Sequence, residues 1–279
     1  MPPISTDGNF PTYEESGQGD PVLLVMGTGS PGRVWNLHQV PALTAAGYRT
    51  ITFNNRGIEP SHDPTESFTL DDMVNDTILL IEKLNLAPCR VVGASLGAFI
   101  TQEMLAVRPD LVKQAVLIAT RGRTDALRAA MSRADLQLHD QNISIPPLYD
   151  AVARATQNLS PASLNNEELV RDWIDLLEMS PQKPPGIRSQ LMLDMIPDRL
   201  AEYRSISTPT LVISFQDDIV TPPHLGREVA DAIPSCGYQQ IADCGHFGYL
   251  ERPDAVNRAV IEFFRENSRA ATTTELVTG

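Results

Sequence analysis

Apolar positions along the chain come in short solid runs, and between the runs they recur every three or four residues. Pro21-Val22-Leu23-Leu24-Val25-Met26 is one solid run, ending at Gly27-Thr28-Gly29, and Tyr48–Phe53 is a second, more mixed one. Cys89–Gly93, Ala115–Ala119 and Thr210–Ser214 complete the set. Each run has the length of a strand, and all but Tyr48–Phe53, which carries Arg49, Thr50 and Thr52, have an unbroken apolar centre, which predicts strands covered on both faces. The intervening Leu70–Leu84 stretch places Leu70, Met73, Val74, Thr77, Ile78 and Ile81 on one face at helical spacing, and Phe99–Val107 also reads as helix. Strands alternating with helices predict an α/β fold, a mostly parallel central sheet with helices on both faces.

The alternation stops between about Arg121 and Ser205. Helical segments are expected at Thr124–His139, Leu148–Leu159 and Asn165–Met179, the last with Asn165 or Asn166 as cap and Glu167 and Glu168 in its first turn. Prolines at Pro146-Pro147, Pro161, Pro181 and Pro184-Pro185 separate them. This block reads as a helical lid, residues 121–205, inserted into a core made of residues 1–120 and 206–267. Residues 268–279 are small and polar and are expected to be a flexible tail. At 279 residues the whole remains within the range of one α/β unit.

Three short segments carry candidate chemistry. Gly93-Ala94-Ser95-Leu96-Gly97 is a G-x-S-x-G sequence between a predicted strand and a predicted helix. A sharp turn there holds the serine in a strained conformation, and glycines two residues to either side remove the Cβ atoms that would collide. Of the five histidines, His246 sits in Gly245-His246-Phe247-Gly248 followed by Glu251-Arg252-Pro253. Two adjacent acids, Asp217 and Asp218, follow the last apolar run and precede Thr221-Pro222.

With these segments in this order the chain resembles the α/β-hydrolase superfamily, from about Pro11 to Asn267. The resemblance implies Ser95 as nucleophile, His246 as base and an acid after the post-lid strand. The family spacing selects Asp218 over Asp217 and leaves Asp217 to cap the turn. The resemblance also implies an oxyanion hole from the backbone N–H groups of Thr28 and Leu96. Met26-Gly27 stands where the family usually has His-Gly. Asn54-Asn55-Arg56-Gly57 resembles the family's Asp-x-Arg-Gly turn with Asn54 in place of Asp, and implies a scaffold role for Arg56. Gly27, Gly29, Trp35, His38, Trp173 and Phe247 are candidate substrate contacts. Met131, Leu136, Leu138, Leu148, Tyr149, Trp173, Leu176, Leu177, Met179, Met192 and Met195 could line an apolar pocket, although most are expected simply to pack the lid onto the sheet.

The formal net charge of −13 opposes binding to phosphate backbones and anionic lipid, so neither nucleic acid nor membrane is expected as a partner. Three cysteines (Cys89, Cys236 and Cys244) without paired spacing suggest neither a disulfide framework nor a metal site. No basic, apolar leader precedes the first run, so a cytoplasmic protein, monomer or homodimer, acting on a small molecule is expected. No cofactor is required by such chemistry. The expected reaction is cleavage of an ester, lactone, thioester or carbon–carbon bond in a mid-sized apolar molecule through an acyl-enzyme. Cyclisation, acyl transfer or haloperoxidase-like perhydrolysis would use the same three residues, and a ligand-binding protein on this scaffold is the reading from outside enzymology.

Overall fold

The computed structural model describes residues 11–59, 61, 67–180 and 187–277, with side chains described through Glu266. The chain opens with strand β1 (Tyr13–Ser16), and the first apolar run becomes β2 (Asp20–Val25). A 3-10 turn (Gly32–Leu37) and α1 (Gln39–Ala45) lead to β3 (Tyr48–Phe53) and α2 (Leu70–Lys83). Then come β4 (Cys89–Ala94), α3 (Leu96–Val107) and β5 (Val112–Ile118). Before the sheet resumes the chain forms α4 (Ala126–Asp140), α5 (Pro147–Asn158), α6 (Pro161–Leu164), α7 (Glu167–Met179), α8 (Ile187–Leu193) and α9 (Leu200–Tyr203). It returns through β6 (Thr210–Phe215), α10 (Pro223–Ala232), β7 (Gly237–Ile241), α11 (Gly248–Glu251) and α12 (Pro253–Val277).

The sheet order is β1-β3-β2-β4-β5-β6-β7. Neighbouring strands are parallel except that β1 runs antiparallel to β3 at one edge. The apolar runs sit in the middle. Val22–Val25, Val91 and Ala115–Ile118 are fully shielded, because α2, α3 and α10 cover one face and α1 and α12 the other. Each such Val, Leu or Ile side chain removed from water contributes about 1.5–3 kcal/mol. The winding direction reverses between β2 and β4, so the loops after these two strands diverge and leave a crevice at their carboxyl ends. Ser95 and the Gly27–Gly29 loop both lie there.

Local chemistry sets several boundaries. Thr69 and Asp72 form a reciprocal capping box that starts α2. Asn166 caps α7 by accepting from the Leu169 N–H at 3.0 Å. The stretch expected to be a tail begins as helix: α12 continues through Val277. Between Asp254 and Thr278 the sequence holds neither proline nor glycine, so nothing local stops the helix once α12 has packed on the sheet. No helix among the described residues is long and apolar enough to cross a membrane.

Candidate active site

The turn from β4 into α3 puts Ser95 at φ 53° and ψ −118°, a backbone conformation that costs a non-glycine residue energy. The turn is tight because its flanks touch. A Cβ on Gly93 would lie 2.3 Å from the Gly97 carbonyl oxygen, and one on Gly97 would lie 2.1 Å from the Val25 carbonyl oxygen. The Ser95 N–H is tied to the Ile118 carbonyl at 2.9 Å, which fixes the turn to the neighbouring strand. Ser95 thus stands at the start of α3, where the first N–H groups of the helix have no acceptor within it.

His246 arrives from the far end of the chain. Its Nε2 lies 3.1 Å from Ser95 Oγ and its Nδ1 lies 2.8 Å from Asp218 Oδ2. Asp218 Oδ1 accepts from the N–H groups of Val220 and Thr221, both at 2.8 Å, and the Thr221 hydroxyl donates to Asp218 Oδ2 at 2.7 Å. His246 and Asp218 are both buried. A carboxylate at Nδ1 keeps the imidazole proton there and leaves Nε2 as an acceptor facing the serine hydroxyl. Asp217 does not share this line; its backbone N–H donates to the Cys244 carbonyl at 3.0 Å.

The histidine loop is pinned from the lid as well as from the sheet. Glu251 accepts from the Gly245 N–H at 2.7 Å with one oxygen, and from the Ser160 N–H and hydroxyl at 2.9 and 2.7 Å with the other. The Phe247 N–H donates to the Asn158 carbonyl at 3.0 Å.

The loop after β2 is held by three side-chain amides. Asn55 donates to the Met26 carbonyl at 2.6 Å. Asn54 accepts from the Gly32 N–H at 2.8 Å and donates to the Glu59 carbonyl at 2.8 Å. Gln190, from lid helix α8 and wholly buried, accepts from the Gly29 N–H at 2.7 Å and donates to the Arg56 carbonyl at 2.8 Å. Arg56 itself forks onto Asp76 of α2 at 2.8 and 2.7 Å, so this turn is bolted to the core. A Cβ on Gly27 would stand 3.1 Å from Ser95 Cβ, so the loop passes directly beside the serine.

A cavity of about 330 Å³ opens over Ser95, lined by Gly27, Thr28, Gly29, Leu96, His246 and Phe247 at its floor. Three candidate contacts are corrected. Trp35 is fully buried in the core against Tyr249, ring centroids 5.4 Å apart, and does not line the cavity. His38 begins α1 away from it and offers its carbonyl to Asn257 Nδ2 at 3.2 Å. Trp173 stands one layer back, stacked on Phe247 at 5.9 Å. The residues that supply the lid's apolar lining are corrected too. Of the lid residues expected there, Leu138 lines the cavity, whereas Leu148, Tyr149, Leu176, Met179, Met192 and Met195 are exposed. The lid wall is mixed: Leu138, Ile145, Ile187, Leu191 and Leu193 line it beside Arg128, Asp135, His139, Asp150, Arg154 and Asp194. Burial holds the Asp135 carboxyl above the usual carboxylate range, with the Arg128 guanidinium pulling the other way. Among the described residues no group of three or more His, Cys, Asp or Glu side chains is placed to hold a metal ion.

Comparison with known proteins places this geometry in context. The profile described as "Alpha/beta hydrolase family" matches residues 22–259. The Mycobacterium tuberculosis (strain H37Rv) protein named "Putative non-heme bromoperoxidase BpoC" is 53% identical over 253 residues, covering 90% of this chain and 96% of that protein. Its crystal structure superposes with a TM-score of 0.89 at 51% identity, over 92% of this chain and 96% of that one. A thermophilic esterase from Thermogutta terrifontis superposes with a TM-score of 0.78 at 25% identity, over 91% of this chain and 92% of the esterase.

Proposed function

The chain belongs to the alpha/beta hydrolase family, and from that premise we propose that it cleaves an ester, lactone or thioester through an acyl-enzyme on Ser95. The observation that carries this reading is the unbroken line Ser95 Oγ–His246 Nε2 and His246 Nδ1–Asp218 Oδ2, at 3.1 and 2.8 Å, on the floor of a cavity. Ser95 Oγ attacks the carbonyl and its proton passes to His246 Nε2. Charge developing on the carbonyl oxygen is met by the N–H groups of Leu96 and Thr28. The imidazolium, stabilised by Asp218, returns the proton to the leaving alcohol or thiol. Water, deprotonated by His246, then releases the acid.

The test is labelling with a fluorophosphonate probe, followed by mass mapping of the adduct. One phosphonyl group on Ser95, lost in Ser95→Ala, is the expected outcome. Labelling elsewhere, or none, sinks the mechanism.

A second reading is supported by the bromoperoxidase name of the mycobacterial relative. If hydrogen peroxide replaces water at the acyl-enzyme, the product is a peracid. The peracid oxidises bromide, consuming one proton, and yields hypobromous acid and the carboxylic acid. Bromination of monochlorodimedone that needs peroxide, bromide and a short carboxylic acid together, and that disappears in Ser95→Ala, distinguishes this reaction from plain hydrolysis.

A further inference from the structure

Helix α4 turns a polar stripe toward the interior. Arg128, Ser132 and Asp135 follow one another at positions i, i+4 and i+7, so they share a face. Arg128 and Asp135 line the cavity over Ser95, and Ser132 is buried between them. Burying such groups is costly unless each finds a partner, and here two lack one. Arg128 is 7% exposed, yet its buried Nε has no hydrogen-bond partner among the described residues, and neither has Ser132 Oγ.

The ion pairing around Arg128 is uneven. Arg128 Nη2 donates to Asp194 Oδ2 at 2.7 Å. Arg121, equally buried, already holds the same Asp194 through its carbonyl at 2.7 Å and its Oδ1 at 3.5 Å, and donates to Thr124 Oγ1 at 2.9 Å. Of the other acids nearby, Asp125 is committed to the cap of α4, accepting from the Arg128 N–H at 2.7 Å, and the Asp135 carboxyl, held above the usual carboxylate range by burial, makes no ion pair with Arg128. Two guanidinium groups therefore share one carboxylate at the cavity wall, and the Arg128 guanidinium, which lines the cavity, makes only the single Nη2–Asp194 side-chain bond among the described residues. Arg154, also on the wall, is paired with Asp150 at 2.6 Å and is not available in the same way.

We infer that Arg128 is a substrate-binding residue, and that the substrate carries a carboxylate on its acyl portion that completes the hydrogen bonding of the Arg128 guanidinium. This inference rests on the acyl-hydrolase reading of Ser95 and narrows it to a substrate class: acids esterified at one end and ionised at the other. An arginine fork suits a planar carboxylate, and a charge-assisted bond in a buried corner discriminates strongly against an uncharged isostere. The Asp135 carboxyl, two turns further along α4, bounds the corner on its far side and excludes a second anion there.

The test compares three methyl esters of one chain length: monomethyl adipate, methyl hexanoate and methyl 6-(trimethylammonio)hexanoate. The expected wild-type preference in kcat/KM is about tenfold or more for the carboxylate ester over the neutral one, with the cationic ester poorest. Arg128→Met should collapse the carboxylate-to-neutral ratio to near one. The variant leaves Arg121 and Asp194 as a one-to-one pair, so the cluster stays neutralised. Arg128→Lys should recover part of the ratio, which general disruption of the lid would not do. A wild-type preference for the neutral or cationic ester overturns the inference whether or not the variants fold, and so does an unchanged ratio in Arg128→Met. Binding separates the two readings: calorimetry of monomethyl adipate with the Ser95→Ala protein needs no turnover. Binding that depends on Arg128 in a protein that hydrolyses no ester would remove the hydrolase reading and leave the anion site standing.

Discussion

Gln190 offers the most direct test of how the lid and the loop beside Ser95 are joined. Its side chain is wholly buried and makes two bonds that span the two halves of the structure, accepting from Gly29 N–H at 2.7 Å and donating to the Arg56 carbonyl at 2.8 Å. Gln190→Ala strips a partner from a backbone donor and from a backbone acceptor. An orphaned buried group costs about 1–3 kcal/mol. The two together should cost about 2–5 kcal/mol, with water entering the gap at the low end of the range. Urea unfolding at pH 7, with m-values compared to confirm two-state behaviour, measures this. Ester turnover on the same variant should lose more in kcat than it gains in KM, because the freed peptide adjoins Thr28 and donors aimed at a developing oxyanion act in the transition state. Gln190→Glu is the sharper probe. A carboxylate can still accept from Gly29 but faces the Arg56 carbonyl with no proton to give. The introduced acid must bind a proton to restore the second bond, so its pKa in the folded protein lies above the unfolded value. Its bond is then present at acid pH and lost as pH rises through the folded pKa, so this variant approaches wild-type stability near pH 4–5 and falls away toward pH 8. Wild-type stability and turnover in Gln190→Ala, or a flat pH profile for Gln190→Glu, would refute the coupling.

Other expectations follow from the same geometry. Ser95→Ala and Asp218→Asn should each lower kcat by about 10⁴-fold or more in steady-state assays, the second because an amide facing Nδ1 favours the wrong imidazole tautomer. Thermal melts should show both variants folded. Gly97→Ala drives a methyl group to 2.1 Å from the Val25 carbonyl oxygen, so it should lose about 3 kcal/mol or more in denaturant titration, or fail to accumulate as folded protein. Burial pushes the thiols of Cys89 and Cys244 up to about 12, so neither should react quickly with a disulfide reagent at pH 8 until the protein is unfolded.

How much of this was legible in the sequence depended on whether burial left a one-dimensional trace. The runs that became β2, β4, β5 and β6 were visible because both their faces are covered, and covered faces favour unbroken Val, Leu and Ile; β3 was marked by Tyr48, Ile51 and Phe53 despite Arg49 and two threonines. β1 and β7 were missed. Both lie at sheet edges, and Tyr13–Ser16 and Gly237–Ile241 carry mixed polar residues because edges are partly solvated. The Ser95, Asp218 and His246 segments stood out because turns that present such groups need glycine and proline at fixed offsets. Trp35 and His38 misled because proximity in sequence to the Gly27–Gly29 loop does not say which way the next turn faces; the 3-10 turn rotates Trp35 into the core. The lid misled most. An apolar residue on an isolated helix reads as inward-facing, yet here Leu148, Tyr149 and Met179 face out and Arg128 and Asp194 face in. Only pairing between residues 66 apart in the chain makes that tolerable, and no periodicity records it.

The same reasoning gives Asn54, Asn55 and Gln190 a shared logic. Loop 26–32 runs beside Ser95 and needs its peptide groups fixed, and three side chains fix it at the Met26 carbonyl, the Gly29 N–H and the Gly32 N–H. Any of the accepting positions could be met by a carboxylate, and at Asn54 the family resemblance leads one to expect aspartate. On the proposed acyl-enzyme reading, a carboxylate there would set a negative charge within the shell around a site that must itself stabilise a growing negative charge, and in a poorly solvated crevice that repulsion is weakly screened. An amide supplies the same acceptor and adds a donor, which Asn54 spends on the Glu59 carbonyl and Gln190 on the Arg56 carbonyl. The loop is thereby held from both of its sides without charge. The charged groups of the cavity sit instead on the lid wall, where an ionised substrate end would meet them.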